Sequence, residues 1–446
     1  MESLIIKTNI KFWLILISTR VLLAGQIIDN YHSAVANNQG YKAQQQYYTV
    51  ASEQHKIAKS NLLPNLSATA MVSKLHLDIP GEDFRENINN NDIGVKLNQP
   101  VFDLKVWHSL QQSSANEDLA KTQLKIAESN LMLNLASKYI DVLKMYAIFE
   151  ANRSQVRQLK LQQKYDLARF KVGTITKTTL LETEAQYDLA IAEEMANKNN
   201  LVDAVNDFTA VSWQYNPVFF TLKDNFSLDK KQQGLFSLEQ LLEKNNLNIK
   251  AAAVNTEIAK YDIKIATANL LPTVNAFGLY NKQHFSEEVL GSFDLNSVKT
   301  KQVGLQFNMP LFYGGGLIAN RSKAKYKYNA VLSDYEQLKS DISINLKTIY
   351  HHLITGSAQI KAFKRAVSSA RSSVKSHREG YKAGTQTNLE LLASISQLRD
   401  AQSNYAIARF DYIKNTLVMK NLTGSLEESD LARLDEMFTE KITMPK

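Results

Sequence analysis

Apolar positions along this 446-residue chain keep a helical period for long stretches, switch to a period of two, and switch back. The whole series of changes occurs twice. The first helical stretch runs from about Asp29 to Leu63, with Ala34, Tyr41, Val50, Ala51, Ile57 and Ala58 on a narrow apolar stripe. Its later equivalent runs from about Leu238 to Leu271, with Leu242, Ile249, Ala252, Ile258, Ile265 and Ala266. Alanine-rich stripes suit close helix packing rather than a bulky core. Pro64 and Pro272 then end both helices, because proline lacks the N–H that continues the ladder and crowds the preceding turn.

Beyond each proline the period becomes two. Ile93, Val95 and Leu97 alternate with Gly94, Lys96 and Asn98. In the second half Val274, Ala276, Gly278 and Tyr280 alternate with Asn275, Phe277 and Leu279, and Val303, Leu305, Phe307 and Met309 alternate with Gln302, Gly304, Gln306 and Asn308. The pattern predicts strand pairs over 66–79 with 91–99 and over 273–285 with 301–309, each strand apolar on one face and polar on the other. About 8–13 residues is the length a tilted membrane strand needs. Four such strands cannot close a barrel, and open sheet edges cannot face lipid, so membrane insertion would require several chains to share one barrel. A soluble sheet with one wet face has the same periodicity.

Pro100 and Pro310 are expected to end the second strand of each pair, after which the helical period returns. No glycine or proline occurs from Asp103 to Phe170, and only Gly356 and Gly380 interrupt the stretch from about Leu317 to Tyr381. Helices of that length would be roughly 100 Å long, and coiled-coil packing is the way to bury such a stripe. Gly173-Thr174 and Gly384-Thr385 supply breaks, and Thr176 and Thr387 are placed to cap returning helices. Trp213 to Gly234 reads as a mixed connector, and the tail after Gly424 as a short helix with a disordered end.

Landmark segments of the two halves recur in the same order at nearly constant offset. Asn61-Leu62-Leu63-Pro64 recurs as Asn269-Leu270-Leu271-Pro272, an offset of 272 − 64 = 208, and Asn37-Asn38 recurs at the same offset as Asn245-Asn246. Pro100-Val101-Phe102 recurs as Pro310-Leu311-Phe312 (310 − 100 = 210), and Phe170-Lys171-Val172-Gly173-Thr174 as Tyr381-Lys382-Ala383-Gly384-Thr385 (384 − 173 = 211). The chain is a tandem duplication. Its expected organisation is a signal peptide over 1–24, a first repeat over 25–212, a connector over 213–237, a second repeat over 238–424 and a tail over 425–446.

Composition narrows the function classes. Only 16 glycines and 7 prolines punctuate the chain, which favours long helices over a compact α/β enzyme. No cysteine is present, so disulfides and thiolate chemistry are excluded. The net charge of +8 comes from 52 Lys and Arg spread among 44 Asp and Glu, a solvated pattern rather than a nucleic-acid patch. Lys7 and Lys11 precede the apolar run Phe12–Ile17, and Val21-Leu22-Leu23-Ala24-Gly25 follows, which resembles a secretory signal. No HExxH, P-loop, GxSxG or dinucleotide fingerprint occurs, so no enzyme activity, metal or cofactor is expected.

Taken in order and duplicated, these motifs resemble the TolC family of outer-membrane channel-tunnel proteins over essentially the whole mature length. The resemblance rests on the two Asn-Leu-Leu-Pro segments, on Gln99-Pro100-Val101-Phe102-Asp103 with Trp107, and on Met309-Pro310-Leu311-Phe312-Tyr313-Gly314-Gly315. It rests further on the tips Val172-Gly173-Thr174-x-Thr176 and Ala383-Gly384-Thr385-x-Thr387, and on the closing Leu422-Thr423-Gly424. It implies a mainly α protein with a membrane β-barrel portion: a homotrimer closing a 12-stranded barrel in the outer membrane of a Gram-negative bacterium above a 12-helix periplasmic tunnel. It also implies an exit duct for drug efflux or type I protein secretion. Periplasmic adaptor proteins would dock at the tips Val172, Gly173, Thr174, Thr176, Ala383, Gly384, Thr385 and Thr387 and link the duct to an inner-membrane transporter. Glu390 matches one acidic position of the family's pore constriction, while Ala393 stands at the second. Tyr381 matches a tyrosine that helps hold the tip closed, with Gln386 where the family has a basic partner. The alternative reading is a periplasmic coiled-coil adaptor or scaffold without a pore.

Overall fold

The computed structural model of the chain describes residues 26–78, 85–223, 234–285 and 297–444. The expected signal peptide and parts of the hairpin loops and connector lie outside them. The elements run α1 (Gln26–Asn37), α2 (Gln39–Ser60), β1 (Asn65–Asp78), β2 (Arg85–Phe102), α3 (Leu104–Lys171), α4 (Lys177–Ser212), β3 (Phe220–Leu222), α5 (Leu235–Asn245) and α6 (Leu247–Ala268). They continue with β4 (Thr273–Phe285), β5 (Ser297–Asn308), α7 (Gly316–Ala383), α8 (Asn388–Leu422), α9 (Glu428–Glu436) and β6 (Phe438–Lys441). Two compact units result. One comprises residues 45–124 and 248–339, and the other takes the remaining stretches.

In the first of these, β1-β2-β4-β5 form one antiparallel sheet. Its register carries a single pattern across all four strands. Leu66, Leu97, Gly278 and Val303 share a row, and Ala68, Val95, Tyr280 and Lys301 share the next. Side chains alternate between faces, so the opposite face carries Ser67, Lys96, Asn98, Asn275, Gln302 and Gln306. The apolar side is open: Val303 is 86% exposed, Leu305 71% and Phe307 65%. On the polar side Phe277 fills the space above Gly304, where a Cβ would stand 3.2 Å from its ring.

Two expectations about the repeats are corrected. Pro100 lies inside β2 rather than ending it, paired with Asn275 of β4 and followed by a register shift before Phe102. β1 begins at Asn65 opposite Asn98, so past that point β2 has no neighbour on its other side and the missing N–H goes unused. The second correction is that each opening helix is two helices. Asn38 N donates a last helical bond to Ala34 O at 2.7 Å, and the residue then caps the next helix, its Oδ1 accepting from Tyr41 N at 3.0 Å. Asn246, at φ −59 and ψ 122, ends α5, and its Nδ2 donates to Leu422 O at 2.8 Å. The asparagine pairs at offset 208 are therefore breaks, because this side chain competes with the helix for backbone partners.

The other unit has its core around Tyr139, Phe208 and Phe219, whose ring centroids are 5.2–5.7 Å apart, together with Ile27, Tyr31, Leu135 and Leu431. Tyr139 OH accepts from Phe220 N at 3.2 Å. Here the expected disordered tail is corrected too. β6 pairs with β3 of the connector, Ile442 N donates to Phe219 O at 2.8 Å, and Phe438 packs 5.4 Å from the Tyr139 ring. Asp435 Oδ1 accepts from Ile27 N at 3.0 Å, so the tail also satisfies an open N–H in the first turn of α1. Gly424, at φ +63, closes α8 where any side chain would meet Asn245 O at 2.5 Å.

Candidate functional site at the helical hairpin tips

Both hairpin turns are built by one device. Gly173 and Gly384 sit at φ +73 and +75, which a residue with a Cβ adopts only under strain. Gly173 N donates to Phe170 O at 2.9 Å and Thr174 N to Arg169 O at 2.9 Å; the second copy repeats this with Gly384 N to Tyr381 O at 3.2 Å and Thr385 N to Gly380 O at 2.9 Å. These paired bonds satisfy the last carbonyls of α3 and α7. The returning helices are capped as expected. Thr176 Oγ1 accepts from Thr179 N at 3.2 Å and Thr387 Oγ1 from Glu390 N at 3.3 Å.

The copies differ at the cap. Glu390 Oε2 accepts from Thr387 N at 2.8 Å and completes a capping box, whereas its counterpart is Thr179 (390 − 211). The Thr387 backbone N–H holds the Glu390 carboxyl below its usual range. Glu390 is thus both an exposed charge and the carboxylate that closes its own helix start.

Val172, Gly173, Thr174, Thr176, Ala383, Gly384, Thr385 and Thr387 are all exposed, Val172 at 73%. Tyr381 is the exception among the expected site residues, because its side chain is buried. Its hydroxyl donates to Asp166 Oδ1 at 2.9 Å. Asp166 is wholly buried, and it also accepts from Gln162 Nε2 at 3.0 Å and Thr183 Oγ1 at 2.7 Å. Asn388 Nδ2 in turn donates to Thr183 Oγ1 at 3.0 Å and to Thr179 O at 3.2 Å. The network ties one hairpin's tip to the other's. Arg169 lies over the Tyr381 ring, its Cζ 5.2 Å from the centroid. Burial, the bond to Asp166 and that carboxylate's charge push the Tyr381 hydroxyl pKa well up, against Arg169. It therefore remains a donor at any physiological pH. Behind the network Leu159, Ala190, Val374, Leu391 and Ile395 form an apolar cluster.

Sequence reasoning passed over Asp166, Thr183, Asn388 and Arg169. One signal was available: at offset 211 the partners of Asp166 and Thr183 are His377 and Ser394, so only one copy has the carboxylate. Gln386 turns back on its own hairpin. His377 Nδ1 donates to Gln386 Oε1 at 2.7 Å, and the Gln386 side chain lies over Gly380, where a Cβ would collide with it.

The model of the outer membrane efflux protein family matches residues 30–212 and 238–425, covering both repeats and skipping the connector. The chain belongs to that family. It is 27% identical over 403 residues to the outer membrane protein TolC of Escherichia coli (strain K12), spanning 88% of this chain and 81% of that protein. It is 23% identical over 414 residues to the alkaline protease secretion protein AprF of Pseudomonas aeruginosa, spanning 91% and 85%. Among solved structures its fold is shared with CusC, at TM-score 0.80 and 16% identity over 90% of this chain and 92% of that one. It is shared likewise with the outer membrane protein VceC of Vibrio cholerae, at TM-score 0.77 and 16% identity over 90% and 96%. This is an outer-membrane channel protein of the efflux and secretion type, with the family and fold of non-enzymatic channels. No finding favours the adaptor or scaffold alternative.

Proposed function

We propose that three copies of this chain close one twelve-stranded barrel, and that their helices form a periplasmic duct through which drugs or secreted proteins leave the cell. The sheet is the observation that carries this reading. Among the described residues it has four strands, an apolar exposed face, a polar opposite face, and two unpaired edges at β1 and β5. Lipid tolerates no open edge, and β5 is antiparallel to β1, as pairing with the β1 of a neighbouring copy requires.

The exposed tips are the docking surface for a periplasmic adaptor, which would join the duct to an inner-membrane transporter. Glu390 and Tyr381 belong to the constriction in different ways. Three copies of Glu390 would focus a negative field at a narrow entrance, whereas Tyr381 acts from inside by fastening the tip to Asp166. With Gln386 held by His377 and Ala393 uncharged, closure leans on the Asp166 network.

Planar-bilayer conductance of the detergent-extracted protein tests the reading. Small, discrete, cation-selective openings are expected, and Glu390→Gln, which preserves the cap geometry, should lower cation selectivity. A folded protein that stays soluble without detergent and never conducts would overturn the reading.

A further inference from the structure

The exposed apolar face of the sheet ends in a group of cations. Lys282 of β4 and Lys299 of β5 are direct cross-strand partners, and Lys301 pairs with Tyr280 one row nearer the helices. All three are exposed and stand on the face that carries Val303, Leu305 and Phe307. Like charges directly opposite one another repel. Among the described residues no carboxylate forms an ion pair with any of the three, and their row neighbours across β2 are the apolar Ile93 and Val95.

Position gives the group its meaning. From Val274 to Lys282 is 282 − 274 = 8 residues, roughly 27 Å along a strand. At the usual 35–45° tilt that is about 20 Å of height, close to the top of an apolar band about 25 Å tall. A lysine there extends its stem along the apolar surface and lifts its ammonium to the headgroups. Tyr280, partly exposed beside Lys301, is the kind of residue found at that boundary. The strand ends that join α2, α3, α6 and the Gly314-Gly315 turn are at the other end of the sheet, so the lysines mark the rim away from the helices.

From this placement we infer that Lys282, Lys299 and Lys301 form a binding site for the phosphate groups of a phosphorylated membrane lipid in the leaflet away from the periplasm. The inference rests on the barrel reading above. Two closely set ammonium groups with a third beside them suit a headgroup carrying more than one phosphate, and its acyl chains would lie along Val303, Leu305 and Phe307.

The test uses the full-length oligomer reconstituted in phosphatidylcholine vesicles with or without a diphosphorylated lipid A, re-extracted in mild detergent. Native mass spectrometry then counts the retained glycolipid, and bilayer conductance of each sample reports insertion. The wild type should retain lipid A in preference to its dephosphorylated form. At about fivefold per neutralised lysine, Lys282→Gln should weaken retention about fivefold and the triple Gln variant by more than tenfold, with conductance intact. Lys282→Arg should retain it, and Lys96→Gln, on the other face, should change nothing. Equal retention by conducting wild type and triple variant overturns the site. Loss of conductance and insertion in the wild type would instead bring down the barrel reading on which the site depends.

Discussion

Removing one oxygen from Tyr381 isolates the tip fastening. In Tyr381→Phe the ring remains under Arg169 and against the apolar cluster, and only the bond to Asp166 Oδ1 is lost. Hydrogen bonds to a charged acceptor contribute about 1.5–3 kcal/mol. That oxygen keeps its bond from Gln162, so the lower end applies, about 1.5 kcal/mol. At 1.4 kcal/mol per factor of ten, the ratio of closed to open tips should fall roughly tenfold. Thr183→Val should have the larger effect. It strips Asp166 Oδ2 of its bond from Thr183 and removes the side-chain acceptor of Asn388 Nδ2, leaving buried polar atoms unpaired. The assay is the open fraction of single channels in a planar bilayer, with thermal melting of the extracted oligomer as a check on folding. An unchanged open fraction in Tyr381→Phe, or a smaller effect from Thr183→Val than from Tyr381→Phe, would refute the fastening role of Asp166.

Other consequences are equally open to measurement. Glu390 has a depressed folded pKa, so its contribution to the α8 start is present above its unperturbed value near 4.5 and lost as pH falls through the lower folded value; hydrogen exchange at the Thr387 amide should show that loss in the wild type and not in Glu390→Gln. Gly424→Ala should destabilise by about 3 kcal/mol, since positive φ and a clash with the Asn245 carbonyl act together. Gly173→Ala, with open space around it, should cost only the strain of about 1–2 kcal/mol; thermal or denaturant melts that rank the two the other way would contradict the packing described here. Thr387→Ala should cost about 1 kcal/mol at the second tip, read as faster exchange over residues 388–391.

Much of this architecture is legible in the sequence alone, because the signals are local. A Gly-Thr followed by a threonine two residues on specifies a terminating turn and a helix cap within one short segment, and both tips formed as expected. Period-two alternation specifies which face of each strand is apolar, and the nearly constant offsets show that the second half repeats the first. A local signal can also mislead. Pro100 looks like a strand end, yet β2 continues through it because β1 has already stopped. Asn38 and Asn246 look like tolerable helix residues, yet each interrupts its helix once its side chain finds a backbone partner. What only the tertiary structure decided depends on residues far apart in the chain. Asp166 is an ordinary helix carboxylate by sequence, and it becomes the hub of the tip because Tyr381, some 215 positions away, donates to it in a buried pocket. The tail becomes a strand because β3 offers it an unpaired edge, and the Lys282–Lys299 pair exists only in the register of β4 with β5. Hydrogen bonds within a turn leave their mark in adjacent letters, whereas burial and pairing between distant segments arise only when the chain has folded.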